Sequence, residues 1–504
     1  MIYSFQPFGF EGSLVTVETD LRQGIPAFDI VGLSDSSVVE VRTRVQCAVR
    51  NSGYEFPSER VLESLSPADL KKEGASYDLP VALDIIRAQK GMRDFPDVLV
   101  MGELELSGHT RPVRAVTQAM QTAVEKGILY AIIPEADVEI PSGIKVRKVR
   151  NLADAFLALY DLYRGKYDTF TEGKEEEGSD EIQFFNLDTD EESLDRLNND
   201  VNYRGVKGLK YAMTVATAGH HHLLVTGSPG CGKTAVLSRM SQILPKLNRE
   251  EKSTVDRIYS VTGREIYENE RPWRNPYCNS NIEAMCGGGP DCRPGEISLA
   301  HNGVLYLNEG AEFRTSVLQM LRVPLENGKI TLCRAGRTTV YPANFQLVMS
   351  TNPCPCGNYG SKTKICLCSA RSIEQYWQKF SAPLLDRFAI RYNMEEDDSQ
   401  FPSYTLEEMR SHVKLAWERQ FARQGKFNND LSTDEVEQYI SMTNDARNEL
   451  ERVSERTGLS SKTQQLIMKT AQTLLDMEFS PSDKITLLEM KMAIELHSKT
   501  PLEA

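Results

Sequence analysis

The octapeptide GSPGCGKT at residues 227–234 constrains the fold more than any other stretch of this sequence. It matches the pattern G-x-x-x-x-G-K-[ST], and it lies between the apolar segment HLLVT and the helical segment AVLSRMSQIL. In this context glycines let backbone N–H groups surround a phosphate at the N-terminus of a helix. The sequence therefore predicts an α/β protein with a phosphate loop made of Gly227, Ser228, Pro229, Gly230, Cys231, Gly232, Lys233 and Thr234.

The end of this loop predicts ATP and Mg²⁺ as ligands. Lys233 is expected to reach the β- and γ-phosphates, and the Thr234 hydroxyl is expected to bind Mg²⁺. The segment GVLYLNEG adds a second strand, which ends in Asn308 and Glu309. Glu309 would orient the attacking water, whereas Asn308 stands where an aspartate would hold the magnesium ion. An ordinary core strand is the alternative interpretation of this segment.

Two further polar residues follow apolar segments downstream. Asn352 ends FQLVMSTN, where its side chain could position water near the γ-phosphate. Arg387, in SAPLLDRF, is a candidate arginine finger that would reach across a subunit interface. Taken alone, an Asn or an Arg after a strand is usually a surface residue. Their order along the chain is nevertheless that of a ring-forming ATPase.

The chain of 504 residues is too long for one core, and its patterns divide it into four regions. Residues 1–166 alternate apolar runs with helical patterns, residues 200–395 do so around the phosphate loop, and residues 396–504 are helical. Residues 167–199 are predicted to form an acidic linker. The part from 171 to 192 contains ten acidic residues and one Lys, which gives it a charge of −9 out of the total net charge of −13. A regulatory tail over a basic channel is the alternative. The total charge therefore does not exclude a nucleic-acid partner.

Two patterns concern the ends of the chain. The segments TLEE at 405–408 and STDE at 432–435 have the form of capping boxes and predict helix starts.

No stretch approaches the roughly 20 apolar residues that a membrane span needs, and the N-terminal MIYSFQPFGF lacks the features of a secretory signal. We expect a cytoplasmic protein without a membrane partner.

A cysteine cluster predicts a metal site. The spacing C-x-C, nine residues, then C-x-C is formed by Cys354, Cys356, Cys366 and Cys368. Four thiolates satisfy tetrahedral Zn²⁺, so a structural zinc ion is the main interpretation and reduced thiols near the nucleotide are the alternative. Three other cysteines lack paired spacing and stay unassigned, namely Cys278, Cys286 and Cys292.

Several longer segments resemble a known family. They are GGGPDCRPGEISLAHNGVLYLNEGAEF, TNPCPCGNYG, APLLDRF, FDIVGLSDSSVVEVRTRVQCAVRNSGYEFP and SPADLKKEGASYDLPVAL. Over nearly the whole chain the sequence resembles the YifB/ComM family of magnesium-chelatase-like AAA+ ATPases. The resemblance implies a Lon-protease-like α/β N-terminal domain, an AAA+ αβα module and a C-terminal helical lid. It also implies hexameric rings that bind DNA and drive branch migration during recombination or transformation.

Three positions depart from the family pattern. RPWRNPYC places Tyr277 and Cys278 where the family has two adjacent histidines, and Asn308 replaces an acid. In GLSSKTQQ, Lys462 stands at the position of a nucleotide-contacting arginine of the lid, so a point charge replaces a bidentate fork. These changes predict a site that binds ATP but hydrolyses it slowly.

The N-terminal region raises protease activity as a rival. KKEGAS resembles the Lon segment that carries the nucleophilic serine, and Ser76 is the matching position. The Lon base is a lysine, whereas RPVRAVTQA places Thr117 at the corresponding position. Because a serine nucleophile needs a base, we expect this domain to be proteolytically inactive.

A basic hairpin predicts contact with nucleic acid. KITLCRAGRTTVYP, residues 329–342, has two strand-like halves, with Arg334 and Arg337 flanking the turn at Ala335 and Gly336. In a ring pore these cations would contact DNA phosphates, whereas a solvated hairpin tip is the alternative. The leading interpretation of the chain is an ATP-driven DNA-remodelling motor. The rivals are a nucleotide-gated scaffold and, on fold analogy alone, a tetrapyrrole metal chelatase.

Overall fold

A computed structural model describes most of the chain. The described residues are 1–33, 35–67, 70, 72, 75–173, 182–184, 206–263, 269–334, 337–361, 364–395, 401–479 and 482–497. Most of the predicted acidic linker and the predicted hairpin turn at Ala335 and Gly336 therefore lie outside the described residues.

The N-terminal region folds around an eight-stranded mixed sheet. Its strands and those of a small hairpin are β1 Ile2–Gln6, β2 Ser13–Arg22, β3 Ala27–Val31, β4 Arg60–Ser66, β5 Val98–Val100, β6 Glu103–Leu104, β7 Thr110–Arg111, β8 Tyr130–Pro134, β9 Lys145–Val149 and β10 Thr171–Glu172. The order in the sheet is β10-β9-β8-β5-β1-β2-β4-β3, and β6 pairs with β7. Four helices cover it: α1 Asp35–Asn51, α2 Asp78–Gln89, α3 Val116–Glu125 and α4 Leu152–Tyr163. The predicted α/β alternation is confirmed in this region.

The central region contains a five-stranded sheet in the order β12-β15-β18-β11-β19. Its strands and two adjoining hairpins are β11 Leu223–Thr226, β12 Trp273–Arg274, β13 Gly287–Gly288, β14 Arg293–Pro294, β15 Val304–Leu307, β16 Lys329–Arg334, β17 Arg337–Pro342, β18 Gln346–Thr351 and β19 Ile390–Asn393. All of the strand pairs within the sheet are parallel. The carboxyl ends of its strands therefore meet at one edge, where ligands bind in open α/β sheets.

Helices flank the central sheet on both faces. They are α5 Val206–Gly219, α6 Lys233–Leu237, α7 Arg249–Ser260, α8 Ile282–Cys286, α9 Glu296–Leu299, α10 Thr315–Met320, α11 Arg322–Asn327, α12 Ala370–Trp377 and α13 Ala382–Leu385. Short 3-10 helices are Ala75–Tyr77, Met240–Ile243, Gly310–Glu312 and Asn428–Asp430. Strands β11, β15 and β18 are almost wholly buried, as expected for a parallel sheet covered on two sides.

The C-terminal region is helical, as predicted. Its helices are α14 Leu406–Gln424, α15 Thr433–Tyr439, α16 Asn444–Thr457, α17 Ser461–Met477 and α18 Leu487–Glu495. Both predicted capping boxes are confirmed, at Thr405 and Ser432. Helix α14 packs on α5, where the Trp417 indole donates to the Thr217 carbonyl at 3.1 Å. Among the described residues, no helix has the length and apolar character needed to cross a membrane.

The N-terminal region contacts the central region through α3 and α7. Gln121 donates to the carbonyl and the hydroxyl of Ser253, both at 3.0 Å. Arg257 of α7 bonds to Glu125 at 2.8 Å, and its guanidinium lies 4.8 Å from the centre of the Phe10 ring. These polar and cation–π contacts fix the N-terminal sheet beside the ATPase-like sheet.

Candidate functional site

The phosphate loop has the conformation that its sequence predicts. Strand β11 ends at Thr226 and α6 begins at Lys233, so the loop joins a strand to a helix N-terminus. Gly230 and Gly232 have φ values of 82° and 98°, a region that residues with a Cβ rarely adopt. A Cβ on Gly227 would lie 2.9 Å from the Cys231 sulfur. The glycines are therefore required by backbone geometry and close packing.

Lys233 lies folded against this loop. Its ammonium group donates to the carbonyls of Gly227 and Ser228, the latter at 3.0 Å, and lies 3.3 Å from the side-chain oxygen of Asn352. Burial lowers the pKa of Lys233, and the Cys231 thiol and the carboxylates of Glu395 and Glu309 oppose that shift. The ammonium therefore lies where a nucleotide phosphate would replace the carbonyls as its partner.

Asn308 lies at the centre of a cluster of hydroxyl groups. Its side-chain oxygen accepts hydrogen bonds from Thr234 at 3.2 Å, from Tyr306 at 3.1 Å and from Ser350 at 2.9 Å. Thr234 and Asn308, the two predicted magnesium ligands, are thus side by side although 74 residues separate them. This set of oxygen donors suits Mg²⁺, which binds few protein groups and keeps several waters.

Glu309 occupies a strained backbone position beside Asn308. Its φ and ψ are 56° and 51°, in the left-handed region that few non-glycine residues adopt. The next residue, Gly310, could not carry a Cβ without approaching the Met349 side chain to 2.6 Å. The backbone therefore turns sharply directly after β15 and leaves Glu309 exposed at the edge of the sheet.

Sequence reasoning missed three residues of this site. Tyr306 of β15 and Ser350 of the neighbouring β18 both donate to Asn308, and their hydroxyl oxygens lie 3.1 Å apart. Glu395 accepts a hydrogen bond of 2.6 Å from the Ser228 hydroxyl of the phosphate loop. An acidic residue two positions after the strand IRYN was the available signal for Glu395.

The two predicted cations lie apart from this cluster. Arg387 pairs with Glu326 of α11 at 3.1 Å. Lys462 is exposed in the first turn of α17, directly after the N-cap residue Ser460. Tyr277, which replaces a family histidine, is 87% exposed. Among the contacts of the described residues, none joins these three side chains to the phosphate loop.

The four predicted zinc ligands come together. Their sulfur atoms lie within 4.8 Å of one another. Three of the separations are 3.4 Å for Cys354 to Cys356, 3.7 Å for Cys354 to Cys366 and 3.6 Å for Cys356 to Cys366. A tetrahedral site with Zn–S bonds of about 2.3 Å has edges of about 3.8 Å, close to these values. The cluster therefore fits a zinc ion.

The predicted hairpin forms, with Arg334 paired to Arg337 across the two strands. Its two arginines differ in environment. Arg334 is exposed, whereas the Arg337 guanidinium lies 3.5 Å from the centre of the Phe8 ring in the N-terminal region. Two residues after Phe8, the backbone N–H of Phe10 donates a hydrogen bond of 3.0 Å to the Thr339 hydroxyl of β17. The hairpin is therefore held at one side by the N-terminal region.

Ser76 and Thr117 line the same cleft, which has a volume of about 960 Å³ and is lined by residues of both the N-terminal and the central region. Lys252 of α7 also lines this cleft. Its ammonium forms ion pairs with Glu139 and with Asp256, the latter at 2.9 Å. The lysine among the lining residues of this cleft is therefore already bound by two carboxylates.

A phosphate loop at the edge of a parallel sheet, with Asn308 and Asn352 on the next strands, defines a P-loop ATPase fold. Family models agree with this class. The model described as magnesium chelatase, subunit ChlI matches residues 200–401, that of subunit ChlI of Mg-chelatase matches 17–137, and that of the ChlI C-terminal part matches 404–497.

Relatives that match over nearly the whole chain identify the family. YifB of Escherichia coli (strain K12) is 32% identical over 506 residues, which cover 98% of this chain and 96% of YifB. The competence protein ComM of Haemophilus influenzae is 33% identical over 492 residues, which cover 95% and 94% of the two chains. The chain belongs to the YifB/ComM family of magnesium-chelatase-like proteins. The DNA repair protein RadA of Escherichia coli matches only 118 residues, at 30% identity.

Proposed function

We propose that this protein binds ATP with Mg²⁺, assembles into a hexameric AAA+ ring and uses slow ATP hydrolysis to remodel DNA. The observation that carries the proposal is the convergence of Lys233, Thr234, Asn308 and Asn352 at one edge of the central sheet. Three chain segments contribute these side chains, and each has a defined part in phosphoryl transfer. A fold alone would not support the proposal, because P-loop folds host many functions.

The same geometry accounts for slow turnover. The Asn308 oxygen can accept a hydrogen bond from a magnesium-bound water, but it lacks the negative charge of an aspartate. Nucleotide binding depends mainly on the backbone of the loop and on Lys233, so it should persist. Hydrolysis depends on the placement of charge around the transferred group and should be weakened. Glu309 remains available to orient water.

DNA is the proposed partner on two grounds. Two relatives have names that refer to competence and to DNA repair. Arg334 is an exposed cation at the end of a hairpin, a position from which it could contact phosphates in a pore. Such binding would be salt-sensitive and largely independent of sequence.

Assembly of the ring is supported by surface groups near the nucleotide site. Ile365 and Leu367, which flank Cys366, are 82% and 89% exposed, and exposed apolar side chains of this size are typical of contact surfaces. If Arg387 is an arginine finger, it would act on the nucleotide bound by a neighbouring subunit. In that contact, Arg387 would give up its ion pair with Glu326 and bind a phosphate group instead.

The four cysteines are proposed to hold one structural Zn²⁺ per chain. Metal analysis of protein purified under reducing conditions should find about one zinc ion per chain. Metal-free protein with intact secondary structure would contradict this part of the proposal.

The N-terminal region is proposed to be Lon-like in fold and proteolytically inactive. Ser76 shares its cleft with Lys252, but two carboxylates bind that ammonium, so the described lysine of the cleft is not a free base. This region would then act through its contacts with α7 and with the basic hairpin.

A nucleotide-gated scaffold that scarcely hydrolyses ATP is the second candidate, and the amide at Asn308 favours it. Steady-state ATPase activity with and without DNA, measured together with ATP affinity and oligomeric state, separates the two functions. The motor predicts turnover that DNA stimulates, whereas the scaffold predicts ATP-dependent assembly without stimulated turnover. A chain that binds no ATP would contradict both.

A further inference from the structure

The loop that carries the four cysteines packs directly on the phosphate loop. We call its described residues, 353–361 and 364–368, the cysteine loop. Gly357 of this loop has a φ of 76° and lies against Pro229. A Cβ on Gly357 would lie 2.4 Å from Cδ and 2.6 Å from Cγ of the proline ring. A proline ring cannot rotate away from such a contact. Any side chain larger than hydrogen at position 357 would therefore require one of the two backbones to move.

A second contact links the same two segments. Asn352, directly before the cysteine loop, accepts a hydrogen bond from Lys233 at 3.3 Å. Pro229 is the third residue of the phosphate loop and Lys233 is the seventh. The chain from Asn352 to Gly357 therefore touches the phosphate loop twice within six residues.

The start of the cysteine loop is anchored independently of any metal. The indole of Trp377 donates to the Pro353 carbonyl at 2.9 Å, and Trp377 is fully buried. Cys354 is also buried. The backbone N–H of Gly357 donates to the Cys354 carbonyl at 2.9 Å, a bond within the same loop. The cysteine cluster is the structure that joins this segment to the far end of the loop.

We propose that the cysteine loop is a positioning element for the phosphate loop. A metal ion bound by the four thiolates holds Gly357 against Pro229 and keeps Asn352 within reach of Lys233. Loss of the metal releases this support, so the affinity for nucleotide falls although none of the four clustered cysteines belongs to the phosphate loop. The inference rests on the proposed function, because it concerns the regulation of the same ATP site.

Two glycines of the loop provide a matched pair of variants. Gly357 and Gly360 have φ values of 76° and 78°, so alanine strains the backbone equally at both positions. A Cβ on Gly360 would meet no atom within 4 Å, whereas one on Gly357 would strike Pro229. We expect Gly357→Ala to weaken ATP affinity by about tenfold relative to Gly360→Ala, since the overpacked contact must shift the phosphate loop. Both variants should retain zinc.

A double-mutant cycle tests whether the effect passes through Pro229. Alanine at 229 lacks the ring atoms that a Cβ on Gly357 would strike. Gly357→Ala should therefore cost less affinity in the Pro229→Ala background than in the unaltered chain. An equal cost in both backgrounds would overturn the proposed route.

The role of the metal is tested by cysteine variants. Cys356→Ser combined with Cys366→Ser should abolish zinc binding and weaken ATP affinity, whereas Cys333→Ser, in the distant hairpin, should do neither. Circular dichroism checks that each variant is folded. Loss of zinc with unchanged ATP affinity would overturn the inference and leave the proposed function intact. If the unaltered chain itself bound no ATP, the proposed function would fail first.

Discussion

The carboxyl edge of the central sheet and the two candidate cations at Arg387 and Lys462 form an instructive contrast. At the sheet edge, side chains from the ends of β15 and β18 lie within hydrogen-bond distance of one another and of the phosphate loop. Arg387 is paired with Glu326, and Lys462 is exposed on the first turn of α17.

The difference follows from how each set is positioned. Parallel strands bring their ends together within one chain, because their hydrogen bonds fix both direction and level. A cation on a helix that packs elsewhere has no such constraint. The proposed phosphate-binding residues of the sheet edge therefore come together within a single chain, whereas the two cations would need a movement or a second subunit to take part.

The largest effect is expected at the sheet edge. Lys233→Ala should abolish ATP binding and all turnover, because the loop loses the only side-chain ammonium that lies among its carbonyls in the described residues. Titration with a fluorescent ATP analogue measures the affinity. Lys462→Ala is the control, since that lysine is exposed on another helix, and equal losses in both variants would erase the contrast between the two regions.

Arg387→Ala should lower turnover on the order of 10³-fold while ATP affinity stays unchanged, as for a finger that acts only in the transition state. Steady-state ATPase rates and binding titrations measure the two quantities. Glu326→Ala, which frees the same arginine, should lower neither.

Mixing the Arg387→Ala and Lys233→Ala chains sharpens this test. A mixed ring contains sites with an intact Lys233 from one subunit and an intact Arg387 from the next. Activity should therefore reappear on mixing. If the mixture stays as inactive as its components, Arg387 does not act between subunits.

Asn308→Asp should raise turnover by about tenfold, which corresponds to roughly 1.4 kcal/mol of barrier. The added charge strengthens the hold on Mg²⁺ beside Thr234, while the hydroxyls of Tyr306 and Ser350 can still donate to it. The rate at several Mg²⁺ concentrations is the measurement. Tyr306→Phe, which removes one donor only, is the control. An unchanged rate would indicate that Asn308 does not limit hydrolysis and that Lys462, or Tyr277 and Cys278, does so instead.

The smallest effect is expected at the basic hairpin. Arg334→Ala should reduce the salt dependence of single-stranded DNA binding by about 0.7 in log–log slope, the value of one lost phosphate contact. Arg337→Ala should change that slope less, because its guanidinium packs on Phe8. Fluorescence anisotropy over a range of salt concentrations gives both slopes. Unchanged affinity when both arginines are replaced would exclude the hairpin as a DNA contact.

The sequence predicted those parts of the molecule that depend on neighbouring residues. The phosphate loop, the capping boxes at Thr405 and Ser432, the hairpin and the four-cysteine spacing all appear in the structure as expected. Each is specified locally, because glycine conformations, side-chain caps and short metal-ligand spacings involve residues close together in the chain.

Strand order and level were decided only by the tertiary structure. They placed Ser350 on Asn308, Glu395 on Ser228, Gly357 on Pro229 and Arg337 on Phe8. These pairs are distant in sequence or lie on different strands, and a hydropathy pattern reports which face is buried, not which partner covers it. The sequence therefore predicted the phosphate loop and the polar residues after the strands of the proposed ATP site, whereas packing determined the further residues that surround them.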